Sequence, residues 1–420
     1  MINQPPKDNY LLHIFLFVVT VFTTTLAGAE WMTAKSILYN LPWSEVWQGL
    51  QYSIPFLGIL TVHEFGHYLT SRYYKISASL PYYIPMYLPS MSIGTMGAFI
   101  RIREIPRTRQ QFFDIGIAGP LAGFVVAVGV LWYGFANLPA KDDIFRIHPE
   151  YKRYGLTYEK YVYTEHFLQE EDSLAFIKSQ QEGVIPKVDS AGKKITFVAR
   201  PETYKEWLAS NISLGDNLLM RFFKNYVAED PNLVPNEYEL FHYPFLFAGY
   251  LALFFTALNL IPIGQLDGGH ILYGLIGYKN HRKVSPILFT IYIFYGGLGV
   301  IDHTGTVNFL GEEMSPWWGI PLYLFFLYQV FERMNEGRFE DTVLLSIGVL
   351  TAQWLVNYYT GLTGYPGWFV FGFILGRVLG VYHPPALQEE PLSLGRQVLG
   401  WLTMGIFVIC FIPAPFIFGK

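Results

Sequence analysis

Two histidines four residues apart, with a glutamate beside the first, carry the clearest chemistry in this chain: Thr61-Val62-His63-Glu64-Phe65-Gly66-His67. On a helix, residues at i and i+4 share a face. His63 and His67 therefore aim two imidazoles at one point, and Glu64 stands beside it. Neutral imidazoles suit a zinc ion, and an adjacent carboxylate can take a proton from water held there. A catalytic zinc takes three protein ligands and keeps one position open. Asp267 supplies the missing carboxylate, 200 residues after His67. Zinc lowers the pKa of its water to about 7. Glu64 is then the expected general base, passing the proton on to a leaving amine. The reaction this set serves is hydrolysis of a peptide bond.

The elements that must position these residues look like membrane spans. The chain has 420 residues, of which 52% are hydrophobic and only 15% charged, against about 25% in an ordinary soluble domain. The charges cluster and leave long stretches almost free of them. The fold class expected is an all-α polytopic membrane protein. The formal net charge of −4 gives no reason to invoke nucleic acid. The one cysteine, Cys410, excludes an intrachain disulfide and a cysteine-based zinc cage.

Nine apolar stretches are expected to span: about 11–27, 47–69, 112–138, 245–263, 286–301, 317–331, 341–359, 367–381 and 397–416. Ala27-Gly28-Ala29 also resembles a signal-peptidase site, so the first stretch has two readings, a retained span and, less expected, a cleaved leader. The loop 71–111 is the most basic, with Arg72, Lys75, Arg101, Arg103, Arg107 and Arg109 against Glu104. Basic loops mark the cytoplasmic side. Nine spans with the N-terminus inside put every basic loop inside, and they put 139–242 outside. The second and fourth spans then run in the same direction. His63, Glu64, His67 and Asp267 lie at similar depth, toward the cytoplasmic side. Ionisable residues within a span cost about 2.5–3.5 kcal/mol each and usually serve function. A purely structural polar cluster at a helix end would leave Asp267 unexplained.

Four regions follow: the N-terminal spans with the His-Glu-x-x-His helix (1–138), a soluble extracytoplasmic insertion (139–242), the span leading to Asp267 (243–285) and the C-terminal spans (286–420). In the insertion, 184–198 reads as strands around a turn at Ser190-Ala191-Gly192, and 203–208 and 214–226 as short helices. It is expected to be a small α+β unit acting as a cap or substrate filter. Gly116, Gly119 and Gly123 in the third span read as plain helix packing. His270 reads first as a structural histidine at a helix end and second as a group supporting the metal ligands from behind. His13, His242, His303 and His383 show no partner in the sequence, and Arg377 is expected to snorkel toward the inner interface.

The chain resembles the site-2 protease family of intramembrane zinc metalloproteases. The resemblance rests on His63-Glu64-Phe65-Gly66-His67 and on Asn259-x-x-Pro262-x-x-x-x-Asp267-Gly268. Two lesser segments add to it, Gly94-Thr95-Met96-Gly97-Ala98-Phe99 and Gly119-Pro120-Leu121-Ala122-Gly123. Together they cover the second to fourth spans. The absence of a PDZ signature in 139–242 points to the bacterial and plastid branch. The resemblance implies that His63, His67 and Asp267 bind Zn2+ and that Glu64 is catalytic. It implies that Asn259 contacts the substrate backbone or the oxyanion, where its other role would be an interhelical hydrogen bond. It also implies that Ser92 to Arg103 dips into the membrane as a β-hairpin, with Gly94 and Gly97 at the substrate. Single-span membrane proteins are the implied substrates and the lipid bilayer the setting, with a bacterial inner membrane as the first location and an organelle the second. Two other classes compete. A catalytically inactive chaperone or scaffold would not keep all four site residues. A metal-binding transporter would show an internal repeat.

Overall fold

The computed structural model describes residues 8–163, 187–188, 194–195, 212–302, 304–309 and 312–418. The chain is mostly helical. Its principal helices are α1 (Tyr10–Thr33), α2 (Leu50–Tyr73), α3 (Arg109–Ala136), α4 (Leu218–Tyr226), α5 (Pro244–Asn259), α6 (Asp267–Gly296), α7 (Pro316–Glu332), α8 (Phe339–Thr360), α9 (Trp368–Leu379) and α10 (Leu394–Cys410). Local chemistry sets several of the starts. The Thr108 side chain accepts from the Gln111 backbone while Gln111 reaches back to Thr108, a reciprocal cap that begins α3. Pro244, with φ already helical, begins α5. Among the described residues, three helices are long and apolar enough to cross a membrane: α1, α3 and α8. Leu11 on α1 is 80% exposed and Trp317 on α7 is 86% exposed. Large apolar side chains turned outward in such number suit contact with lipid rather than water.

Each apolar stretch picked out in the sequence carries one of these helices, with one shift. The helix expected from 286 begins at Asp267 and bends at Gly277, whose φ of +76° breaks the helical path. A glycine tolerates that conformation without steric cost. Lys279, Arg282 and Lys283 interrupt the apolar signal ahead of 286, which is why no span is expected there from the sequence. Ala27 and Ala29 lie fully buried inside α1, and a Cβ at Gly28 would meet the Tyr52 ring at 2.6 Å.

One core joins α1, α2, α3 and α5 through Tyr52, Phe56, Leu131, Phe247 and Leu251. A second joins α6, α7 and α9 through Phe289, Ile293, Leu327, Phe331 and Phe369. Between α2 and α3, β1 (Tyr82–Pro85) pairs antiparallel with β2 (Thr95–Phe99), in the register Tyr82 to Phe99 and Tyr83 to Ala98. The expected segment 92–103 thus supplies only the second strand. Its partner comes from earlier in the chain, because the intervening turn is tied down by Leu88 N–H donating to Ser92 Oγ (3.0 Å) and Ser90 N–H to Glu30 (2.7 Å).

In the insertion, β3 (Lys187–Val188) pairs antiparallel with β4 (Lys194–Ile195); the turn expected at Ser190-Ala191-Gly192 lies outside the described residues. The helix expected over 203–208 lies outside the described residues. The stretch expected as a helix from 214 divides. Ile212–Leu214 is a strand, β5, and the helix proper starts at Leu218 after Asn217 caps Met220. A second small sheet pairs β6 (Val307–Phe309) with β7 (Glu312–Met314). β5 pairs with β8 (Phe416–Phe418), so the chain's last strand closes onto the insertion. Buried Glu239 accepts hydrogen bonds from Tyr158 (2.8 Å) and Tyr163, binding the two ends of the insertion together.

Candidate metal centre

His63 and His67 lie one turn apart on α2, as their spacing requires, and both are buried. Asp267 occupies the first turn of α6. The chain between α5 and α6 must turn sharply to bring it there, and glycines make the turn possible. Gly264 has φ +61°, and a Cβ on it would strike the Gly380 carbonyl oxygen at 2.2 Å. A Cβ on Gly268 would strike the Leu260 oxygen at 2.0 Å. The turn is fastened by Gly264 N–H donating to Ser285 Oγ (3.1 Å), whose hydroxyl donates to the Val381 carbonyl (2.7 Å).

The result is a tight triangle. The two Nε2 atoms are 3.1 Å apart, His67 Nε2 is 3.2 Å from Asp267 Oδ2, and His63 Nε2 is 3.5 Å from it. Among the described residues these three form the one group of at least three such side chains whose ligand atoms lie within 4.8 Å of one another. Zinc–nitrogen bonds of 2.0–2.1 Å at a tetrahedral angle separate ligand atoms by about 3.3 Å. The edges of the triangle match that span, so the donors fit a zinc ion. His67 Nδ1 donates to the Ile115 carbonyl at 2.7 Å. That bond fixes its tautomer and leaves the Nε2 lone pair directed into the triangle.

Helix α3 packs between α2 and α6, and its small residues make the room. A Cβ at Gly119 would lie 2.1 Å from His67 Nε2, one at Gly123 would meet His63 Cβ at 3.0 Å, and one at Gly116 would meet His270 Cβ at 2.6 Å. These glycines do pack helices, as their spacing indicated. What they pack against is the centre itself. Glu64 is 5% exposed and has the Ile100 backbone N–H, just past β2, beside its carboxylate. Asn259, the last residue of α5, brings Nδ2 to 3.4 Å from His63 Nε2. Gly94 is packed on α1, where a Cβ would meet Thr24 Cα at 2.3 Å and where its carbonyl accepts from Thr23 Oγ1 (2.7 Å). Gly97, with φ +104°, faces open space.

Several partners were invisible in the sequence. His270 Nδ1 lies 2.7 Å from His383 Nε2, and His383 stacks on Tyr273 at 4.0 Å between centroids. His383 lies in a loop after α9, with no local pattern to announce it. His13 lies 3.0 Å from the Pro81 carbonyl, and His242 meets His148. His303 lies outside the described residues. Arg377 pairs with Glu332 on α7 in addition to whatever interface it reaches.

The model of peptidase family M50 matches residues 51–298, more than half of the chain and the whole of this centre. This chain belongs to peptidase family M50. It is therefore a member of the site-2 protease family, as its motifs indicated. Curated relatives are named as probable zinc metalloproteases. EGY2 of Oryza sativa subsp. indica, chloroplastic, is 27% identical over 271 residues, covering 64% of this chain and 37% of its own length. EGY1 of Arabidopsis thaliana, chloroplastic, is 25% identical over 227 residues, covering 53% of this chain and 29% of its own. EGY1 of Oryza sativa subsp. japonica is 23% identical over 337 residues, covering 74% and 43%. The chain thus spans less than half the length of these M50 relatives. No solved structure matches it.

Proposed function

We propose that this M50 chain is an intramembrane zinc metalloendopeptidase that cuts peptide bonds within or near transmembrane segments. The observation that carries the reading is the convergence of His63, His67 and Asp267, from two helices far apart in sequence, onto one point with the edges of a zinc site. Zinc, when bound, supplies an acidified water with a pKa of about 7. Glu64 is placed to take a proton beside that water and deliver it to the leaving amine. His63 and His67 hold the metal as neutral imidazoles, and the Ile115 carbonyl keeps His67 in the required tautomer. Asn259 is assigned to the scissile carbonyl, where its amide donates to the oxyanion.

The hairpin supplies the substrate's other need. A transmembrane helix hides its amides in internal hydrogen bonds and must unwind to be cut. β2 pairs with β1 along one edge, and its continuation reaches Ile100 beside Glu64. An extended substrate segment adds to the free edge. Gly97 leaves room for that approach, and Gly94 seats the strand against α1. The reading places nine spans, the insertion outside and the centre toward the cytoplasmic side. Single-span membrane proteins are the substrates. The relatives' names place them in the chloroplast, so a plastid-type membrane stands beside a bacterial inner membrane as the host bilayer.

Glu64→Gln tests the assignment. The substituted protein retains zinc, measured by mass spectrometry of the metal, and loses cleavage of a model membrane peptide. Cleavage surviving at the unmodified rate removes Glu64 as the base. Zinc missing from the unmodified protein favours a scaffold over an enzyme.

A further inference from the structure

The connector between α9 and α10 grips the start of α6 from outside the matched catalytic core. Residues 380–389 lie beyond residue 298, where the M50 match ends, and they hold the chain on both sides of Asp267. Three residues before Asp267, Gly264 packs so closely on the Gly380 carbonyl oxygen that a Cβ would lie 2.2 Å from it. Buried Ser285 ties the same two segments together, accepting from the Gly264 N–H (3.1 Å) and donating to the Val381 carbonyl (2.7 Å). Three residues after Asp267, His270 meets His383. His383 Nδ1 faces the Pro384 carbonyl at 2.6 Å, and a carbonyl only accepts, so Nδ1 carries the hydrogen. His383 Nε2 is then the acceptor, and His270 Nδ1 donates to it at 2.7 Å. One turn further along α6, the Tyr273 hydroxyl donates to Glu389 and accepts from the Ala386 N–H (2.8 Å).

The connector is itself anchored at both ends. The last six residues of α9, Ile374–Leu379, are wound as a π-helix, and the Gly380 N–H reaches back five residues to the Leu375 carbonyl (2.8 Å). Such wide turns are rare and often lie at functional sites. Arg333, just after α7, caps this end by donating to the Arg377 and Val378 carbonyls (3.2 and 2.7 Å). At the other end, the Gln388 N–H donates to the Arg107 carbonyl (3.1 Å) and the Gln388 carbonyl accepts from the Arg109 N–H (3.0 Å), at the start of α3. The connector therefore links α6, which carries Asp267, to α3, whose Gly119 sits against His67.

We propose that this connector belongs to the working metal centre, and that Ser285 and His383 are positioning residues that hold Asp267 at its ligand position. The proposal rests on the zinc reading of His63, His67 and Asp267. Neither Ser285 nor His383 is a ligand. Ser285 acts through the turn before Asp267, and His383 acts through His270 on the turn after it. Zinc–ligand distances tolerate about 0.2 Å, so a carboxylate on a looser turn binds the metal more weakly. Groups that orient metal ligands from behind typically account for about 10–100-fold in affinity.

The test is the zinc affinity of the full chain in detergent, measured by competition with a chromogenic chelator, together with hydrogen–deuterium exchange of the metal-free protein. Ser285→Ala and His383→Ala each bind zinc about 10–100-fold more weakly than the unmodified protein. In metal-free Ser285→Ala the backbone amides of 260–270 exchange about tenfold faster, as loss of one hydrogen bond allows. His383→Gln, whose side-chain oxygen can accept from His270, recovers most of the affinity that His383→Ala loses. The His383 variants lie on a loop and keep the proposal open to refutation where Ser285→Ala fails to fold. A lower thermal midpoint with unchanged zinc affinity in both alanine variants overturns the proposal and leaves the two residues a role in stability alone. Zinc missing from the unmodified protein overturns the zinc reading and this proposal together, so the two failures are told apart.

Discussion

Replacing Gly119 by alanine is the sharpest test of how the centre is built. The added methyl would lie 2.1 Å from His67 Nε2 and 2.5 Å from both Cδ2 and Cε1. Ordinary contact begins at 3.4 Å, so the imidazole must retreat by about 1.3 Å, whereas zinc–ligand distances tolerate about 0.2 Å. Nor can α3 easily recede. Gly66 on α2 already sits so close to α3 that a Cβ there would meet the Ala118 oxygen at 2.5 Å, and Gly116 is equally tight against His270. The expected outcome for Gly119→Ala is loss of zinc from the catalytic centre and at least a 10²-fold drop in turnover, the rough cost of misplacing a catalytic group by about 1 Å. Two substitutions on the same helix grade the effect. Gly123→Ala meets His63 Cβ at 3.0 Å and should weaken zinc affinity only modestly, while Gly129→Ala meets nothing within 4 Å. That last change should be silent or slightly stabilising, since alanine is favoured over glycine in a helix by about 0.5–1 kcal/mol. Zinc content and cleavage rate are measured for all three in one detergent. Full zinc and full activity in Gly119→Ala would refute the account of His67 as a ligand held against α3.

Other perturbations separate the parts. Asn259→Leu should keep zinc and lower kcat by about 10²-fold or more, as loss of an oxyanion donor does; an unchanged kcat would return Asn259 to an interhelical role. Arg396 forms a two-pronged pair with Asp114 on α3, at 2.8 and 2.9 Å. Arg396→Ala should therefore lower stability by about 1–2 kcal/mol, seen as a lower thermal midpoint with zinc content unchanged. Burial raises the Glu239 carboxyl to about 7, against the opposing hydrogen bonds from Tyr163 and Tyr158. The folded state then holds a proton that the unfolded chain has lost, so stability falls as pH rises from about 4.5 to 7, by on the order of 3 kcal/mol. Glu239→Gln should flatten that part of the pH–stability curve, and an unchanged slope would show that the proton resides elsewhere.

How much of this was legible beforehand follows from the range of each interaction. His63, Glu64 and His67 announced themselves because helical periodicity is local: four residues on one strand of sequence already specify one face. The apolar stretches announced helices for the same reason, and a single cysteine, Cys410, limited the metal donors to histidine and carboxylate. Asp267 could be nominated by its residue type and by the direction of its span. Its arrival within 3.2 Å of His67 depends on Gly264 and Gly268 meeting backbone from elsewhere, and that is a tertiary fact. The glycines of α3 looked like generic packing until their neighbours were known, because a missing side chain carries no label for what fills its place. The 267–285 stretch was hidden because its charges mask a helix that bends at Gly277. His148 and His242 lie 94 positions apart, and neither has a motif around it. Only folding brings the two rings into contact, because a meeting between residues so far apart in sequence is decided in space.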